Sequence, residues 1–389
     1  KTGTTLVNAQ RDSGVAQFTM NNSTSLLTST GDTTITMNTG DGKTYTDSGN
    51  ISLTNVSAKN LTVDNKGLTA GSNVIVNGAV TASGNSSFKG TNDINVASTG
   101  SVTTTGTTTF NASNDINTAG MIKGTGASTL TATRDILVDT TGSLVGTAST
   151  SSYGLTAGRD INFKGTTTTG GGLLTADAGQ SIKINNNITT SGGNVTMTAN
   201  KSASSTGSVI TMANGTKINA SGASDGTVKL TLSNAGTATN GAITTNDITG
   251  STITIDNEGL NISGSDAISN GILSATNTTG LSYITSQKGN ITLNNAVTSD
   301  FKGTLYMTAN ATGSTILQNT DNALKVGFNT FLTTPGTITL AQNGNDFCSD
   351  TGREGQVYIN NSAPPSASYA TITDANSIRF GNVNVLHDL

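Results

Sequence analysis

One short phrase returns along the middle of the chain with no helical signal between its copies. It reads LTAGSNVIVN at 68–77, FKGTNDINV at 88–96, FNASNDIN at 110–117, LTATRDILVD at 130–139, LTAGRDINFKG at 155–165 and LTADAGQSIKIN at 174–185. Aligned on Val74, Ile94, Ile116, Ile136, Ile161 and Ile182, the copies recur at a step of roughly twenty residues, the widest being that from Ile136 to Ile161. A unit of this size is too small to bury its own apolar side. It must stack on copies of itself, as solenoids do.

Within the copies, apolar and polar residues alternate, as in Ile182 and Ile184 or Val195 and Met197, which predicts half-buried strands with those residues inward. Composition points the same way. Hydrophobic residues are 33% and charged residues 11% of the 389 positions, with 47 Gly and 3 Pro. Disordered chains this poor in hydrophobic residues normally carry more charge or more Pro. Thr, Ser, Asn and Gly make up the difference, Thr suiting strands and Asn and Gly suiting tight corners. The reading is an all-β chain without long helices. The main rival, a string of antiparallel sandwiches or propeller blades, is disfavoured because the unit is short for a sandwich and the aromatic markers of blades are missing.

The alternation divides the chain into four stretches: looser coils at 1–49, regular repeats at 50–343, a loop-rich insertion with Cys348, Pro364 and Pro365 at 344–365, and terminal strands at 366–389. NISLTNV at 50–56 and NLTVDN at 60–65 follow too closely to belong to separate coils, which predicts two strands within one turn. The chain opens at Lys1 without a signal-like run and stops within an alternating strand, so we expect an excised or mature piece of a longer polypeptide.

Several chemistries lack their residues. His387 and Cys348 are the only His and Cys, and they lie far apart in sequence, which argues against a Cys–His pair or a zinc site. The net charge of −4 is spread along the chain without a basic patch, so nucleic acid is not an expected partner. Aromatic residues are 4% with no Trp, fewer than a sugar-binding aromatic platform usually needs. No strand is followed by a helix that could complete a nucleotide-binding glycine loop. No cofactor is expected.

The residue before each column position is short and polar: Asn73, Asp93, Asp115, Asp135, Asp160 and, in the last copy, Ser181. The four acids Asp93, Asp115, Asp135 and Asp160 are the candidates for a ladder of corner carboxylates that holds a cation or flanks a sugar. Their exchange with Asn and Ser favours corner residues that bond to nearby backbone. No catalytic residue is assigned. Arg134 and Arg159 precede a column Asp and either pair with neighbouring carboxylates or cap an exposed edge.

LTAGRDINFKG, LTATRDILVD, GNITLNN and NLTVDN resemble the repeats of filamentous haemagglutinin-type exoproteins of Gram-negative bacteria, the large adhesins secreted by the two-partner route. The resemblance covers about 50–343 clearly and 1–49 and 366–389 more loosely. It implies a right-handed parallel β-helix (β-solenoid) with coils of about twenty residues. It implies an extracellular or cell-surface location as well. It further implies a structural role in adhesion, aggregation or biofilm, with an outer-membrane secretion partner. Glycans or other cell surfaces, and copies of the chain itself, are the expected partners. Two rival readings stand beside it: a β-helical polysaccharide lyase or hydrolase, and a self-assembling filament or spacer.

Overall fold

The computed structural model describes residues 3–9, 16–20, 22–37, 48–66, 72–202, 207–236, 240–259, 266–294, 298–319, 323–348, 355–361 and 369–385. The chain divides into two compact units, Lys1–Asp177 and Ala178–Leu389. In each, short strands fall in rotation into three sheets, until the last strand, Phe380–Val385, returns to the first sheet directly after Ala370–Ile372 of the second, and every strand pairing among the described residues is parallel. This is a parallel β-helix, and antiparallel sandwiches or blades are ruled out by the pairing alone.

One coil of the first unit shows how sequence becomes geometry. Ser86–Gly90 lies in the first sheet, Ile94–Val96 in the second and Ser101–Thr104 in the third, and Thr108–Ala112 begins the next coil. The recurring phrase is the passage across one corner. In LTATRDI, Leu130 and Ala132 are buried in the first sheet and Thr131 faces outward. Arg134 and Asp135 make the bend, and Ile136 re-enters the core in the second sheet.

The aligned column is a true register. Ile51, Val74, Ile94, Ile116, Ile136 and Ile161 pair Cα to Cα through the first unit, all at most 1% exposed. The second unit carries its own column of isoleucines at the same place: Ile182, Ile210, Ile243, Ile268, Ile291, Ile316 and Ile338. Stacked rings join the core of the first unit, Phe88 lying 4.8 Å from Phe110.

The coils are longer than the phrase suggests. The coil from Thr108 to Ser128, in the most regular stretch, keeps the step of the phrase, but that from Thr5 to Thr33 is longer and that from Val195 to Val228 longer still. The typical coil is about 25 residues. The added residues lie at the corners, which tolerate insertion, while strand length is held by pairing. The segments 50–56 and 60–65 do belong to one turn, which contains three strands: Ser48–Leu53, Asn55–Ala58 and Leu61–Asn65.

The outer stretches share the same sheets. Thr5–Ala9 pairs with Thr33–Met37, and Val357–Asn361 pairs with Thr330–Thr333 on one side and Phe380–Val385 on the other. Pro364, Pro365 and His387 lie outside the described residues. Cys348 is half-buried at φ +77°, with its thiol pushed up chiefly by burial.

Between the second and third sheets of the first unit, from Gly78 onward, glycine is a steric requirement. Gly78, Gly100, Gly120, Gly142 and Gly165 stack at this corner. A Cβ on Gly120 would stand 2.1 Å from the Gly100 carbonyl oxygen, and one on Gly142 the same distance from that of Thr118. Gly154, within a strand, would meet nothing closer than Thr175 Oγ1 at 3.4 Å. Gly120→Ala is therefore expected to destabilise by about 1–3 kcal/mol, because a neighbouring backbone cannot yield as a side chain can. Gly154→Ala should stay within about 0.5 kcal/mol of wild type or gain slightly. Urea unfolding of the two variants checks both.

Candidate functional site

The corner acids of the first unit form a continuous chain of hydrogen bonds. Each side-chain oxygen accepts the backbone N–H of the equivalent residue one coil on. Asn73 N–H donates to Asn50 Oδ1 (3.1 Å), Asp93 N–H to Asn73 Oδ1 (3.1 Å) and Asp115 N–H to Asp93 Oδ1 (3.1 Å). Asp135 N–H donates to Asp115 Oδ1 (3.2 Å), and Asp160 N–H to Asp135 Oδ1 (3.1 Å). The preceding residue supplies a second donor to the same oxygens: Asn92 Nδ2 to Asn73 (2.8 Å) and Asn114 Nδ2 to Asp93 (2.7 Å). In the following coils Arg134 Nε bonds Asp115 Oδ1 and Arg159 Nε bonds Asp135 Oδ1, each at 2.8 Å, while each Nη2 reaches the other carboxylate oxygen.

The structure thus brings Asp93, Asp115, Asp135 and Asp160 onto one corner, as their spacing predicts, and engages them with donors from the protein itself. Only an oxygen acceptor is needed, which is why Asn, Asp and Ser interchange. In the second unit Ser181 Oγ plays the part for Val209 N–H (3.2 Å). Other corners use asparagine the same way, Asn60 for Asn85 N–H and Asn85 for Thr107 N–H. The arginines pair rather than cap, and the bond to Asp115 raises the Arg134 pKa further above its ordinary value. Among the described residues no group of three or more His, Cys, Asp or Glu side chains could hold a metal ion.

A different arrangement, not evident from the sequence pattern, lies on the first sheet of the second unit. The outward residues Tyr283, Tyr306, Phe331 and Tyr358 are in register on successive coils. Their ring centroids are 5.0, 4.5 and 4.4 Å apart and their planes lie within 14° of parallel. Four of the chain's six Tyr and nine Phe thus converge in one row despite the low total. The signal is present as LSYIT, TLYMT, FLT and QVYIN, but the steps from Tyr283 to Tyr306, Phe331 and Tyr358 lengthen one after another, so no fixed period marks them.

A parallel outward row runs beside the rings: Asp256, Thr285, Thr308, Thr333 and Asn360, with Asn384 Nδ2 donating to Asn360 Oδ1 at 3.4 Å. A depression of about 300 Å³ opens between the rows at Phe331, Thr333, Tyr358, Asn360, Asn382 and Asn384. At the far end of the row, Asp256 Oδ1 is buried and finds no hydrogen-bond partner. Burial lifts its carboxyl above the usual range, Glu258 adds to this and Lys229 opposes it.

No protein-family model, no curated protein and no solved structure matches the chain.

Two outcomes follow from the geometry. Asp93→Asn should leave stability unchanged and Asp93→Ala should cost about 0.5–1.5 kcal/mol, because only the acceptor is required. Millimolar calcium should shift neither melting temperature, whereas a corner ladder that binds cations would show a rise in the wild type. For Asp256, a folded pKa raised above the unfolded one contributes stability that is complete below the ordinary carboxylate range and lost as pH rises through the folded value. Asp256→Asn should therefore be more stable than wild type at pH 7 and equal to it near pH 3, as read by thermal melts across that range.

Proposed function

We propose that this chain is a non-enzymatic segment of an extracellular or cell-surface bacterial exoprotein of the filamentous haemagglutinin type. Its work is contact: adhesion, aggregation or matrix scaffolding through long faces rich in Thr, Ser and Asn. The observation that carries this reading is the engagement of the corner acids. The carboxylates most regularly placed along the solenoid accept N–H and guanidinium donors from the next coil, so they serve the stack. The faces that remain hold outward residues in register coil after coil, Thr, Ser and Asn among them, and repeated weak contacts add up through multivalency. The repeat phrases support the family, and the expected partners are glycans, cell surfaces, further copies of the chain and, for the whole polypeptide, an outer-membrane secretion partner.

The test is twofold. Microbeads coated with the protein should adhere to cells or biofilm matrix well above albumin-coated beads. The soluble protein should release no reducing ends or unsaturated products from a panel of neutral and acidic polysaccharides over a day. Robust turnover of any member would overturn the non-enzymatic reading in favour of a β-helical lyase or hydrolase. Absence of adhesion to every surface would leave a spacer or filament role instead, which electron micrographs of the protein would reveal as end-to-end assemblies.

A further inference from the structure

Neighbouring strands in a sheet are about 4.8 Å apart, but aromatic planes touch at about 3.5–4.0 Å. Rings repeating once per strand must therefore slip over one another, in the offset geometry that aromatic pairs prefer. Tyr283, Tyr306, Phe331 and Tyr358 do this, with centroids 4.4–5.0 Å apart. A strip of each ring is left open to solvent, and Tyr283 at the end of the row is 37% exposed. At its other end the row is covered by backbone alone. Gly381 lies over Tyr358, where a Cβ would come within 2.3 Å of the ring.

Three properties of this strip define what fits it. No charged residue lines the depression between the two rows, so a charged polymer gains no ion pair there. One side of the strip is aromatic and the other is hydroxyl and amide, so the ligand must have an apolar surface and a polar edge. Both rows repeat once per coil across the strands, so the ligand must be linear and repeat at a comparable length. A pyranose ring has apolar C–H surfaces and a hydroxyl edge, and in an extended β-linked chain each residue advances by about one strand spacing.

We propose that the row Tyr283–Tyr306–Phe331–Tyr358, with its Thr and Asn neighbours, is a binding strip for a neutral, linear, β-linked polysaccharide, with one sugar residue against each coil. The proposal deepens the contact role above and rests on it. The ring strips pack against sugar C–H groups, while Thr308, Thr333, Asn360 and Asn384 meet the hydroxyls. No bond is made or broken.

The test is retention of the full chain by insoluble β-1,4-glucan and chitin, and retardation in gels containing soluble β-glucan, with polygalacturonate and a sulfated glycan for comparison. Wild type should be retained by at least one neutral polymer and unaffected by molar salt. Tyr306→Ala/Tyr358→Ala should bind at least about ten-fold more weakly, about 1.4 kcal/mol. Thr109→Ala/Thr129→Ala, on the first unit, should bind as wild type does. Asn360→Asp places a charge at an exposed position with little risk to folding, and should also weaken binding. The proposal is overturned if no neutral polymer retains the wild type, if Asn360→Asp and the ring variant bind as well as wild type, or if retention is confined to anionic polymers and lost in salt. Bead adhesion that persists unchanged in the ring variant would remove the strip and leave the broader contact role standing.

Discussion

Backbone hydrogen bonding between successive coils is the constraint from which the rest of the structure follows. In the first unit Ile94 N–H donates to Asp115 O, Ile116 N–H to Asp135 O and Ile136 N–H to Asp160 O, each at 2.9 Å. Because these bonds hold one coil a fixed step from the next, a residue type that recurs on successive coils meets its own copy at one separation. That separation leaves no room for a Cβ at Gly78, Gly100, Gly120, Gly142 and Gly165 of one corner, and is suited at another to an oxygen that accepts the next coil's N–H. On an outer sheet face it lies just beyond ring contact, so aromatic rings stack with a slip. Three features that look unrelated in sequence share a single geometric cause.

The same constraint decides what the polar residues are for. A helix or globular domain can spare its surface carboxylates for chemistry. Here strand ends at the corners leave backbone donors that the sheets do not satisfy, and short side chains fill that need coil after coil. Asp115 accepts from Asp135 N–H and from Arg134, and its neighbours do likewise. A row with the spacing of a line of catalytic or metal-binding acids adds side-chain bonds between the coils that the backbone already pairs. On other faces the outward residues have no such duty, and the aromatic row is the most distinctive arrangement there.

Part of this is legible in the sequence. The column from Val74 to Ile161 is a true register because the first unit's middle coils have short corners, so spacing in sequence tracks spacing in space. The drift of its polar neighbour among Asn, Asp and Ser shows that an acceptor, and no particular charge, is required. The short coil belongs to this most compact run and does not hold elsewhere, as the longer passage from Thr5 to Thr33 shows. The aromatic row is hidden for the same reason. Its members stand at unequal and lengthening steps, and only the pairing of Leu281–Ser286, Thr304–Ala309, Thr330–Thr333 and Val357–Asn361 places them on one line.

The sequence by itself determined the class of fold. Alternation of period two makes strands with one buried side, and a unit too small to bury that side alone must stack. It determined too which residues face the core, since a half-buried strand allows no other choice. Tertiary structure alone decided which outward residues are neighbours. Adjacency across coils depends on the corner lengths between them, which vary from coil to coil and follow no period. Which partners the repeated phrase bonds to was decided there as well, by the donors that each successive coil presents to the one before it.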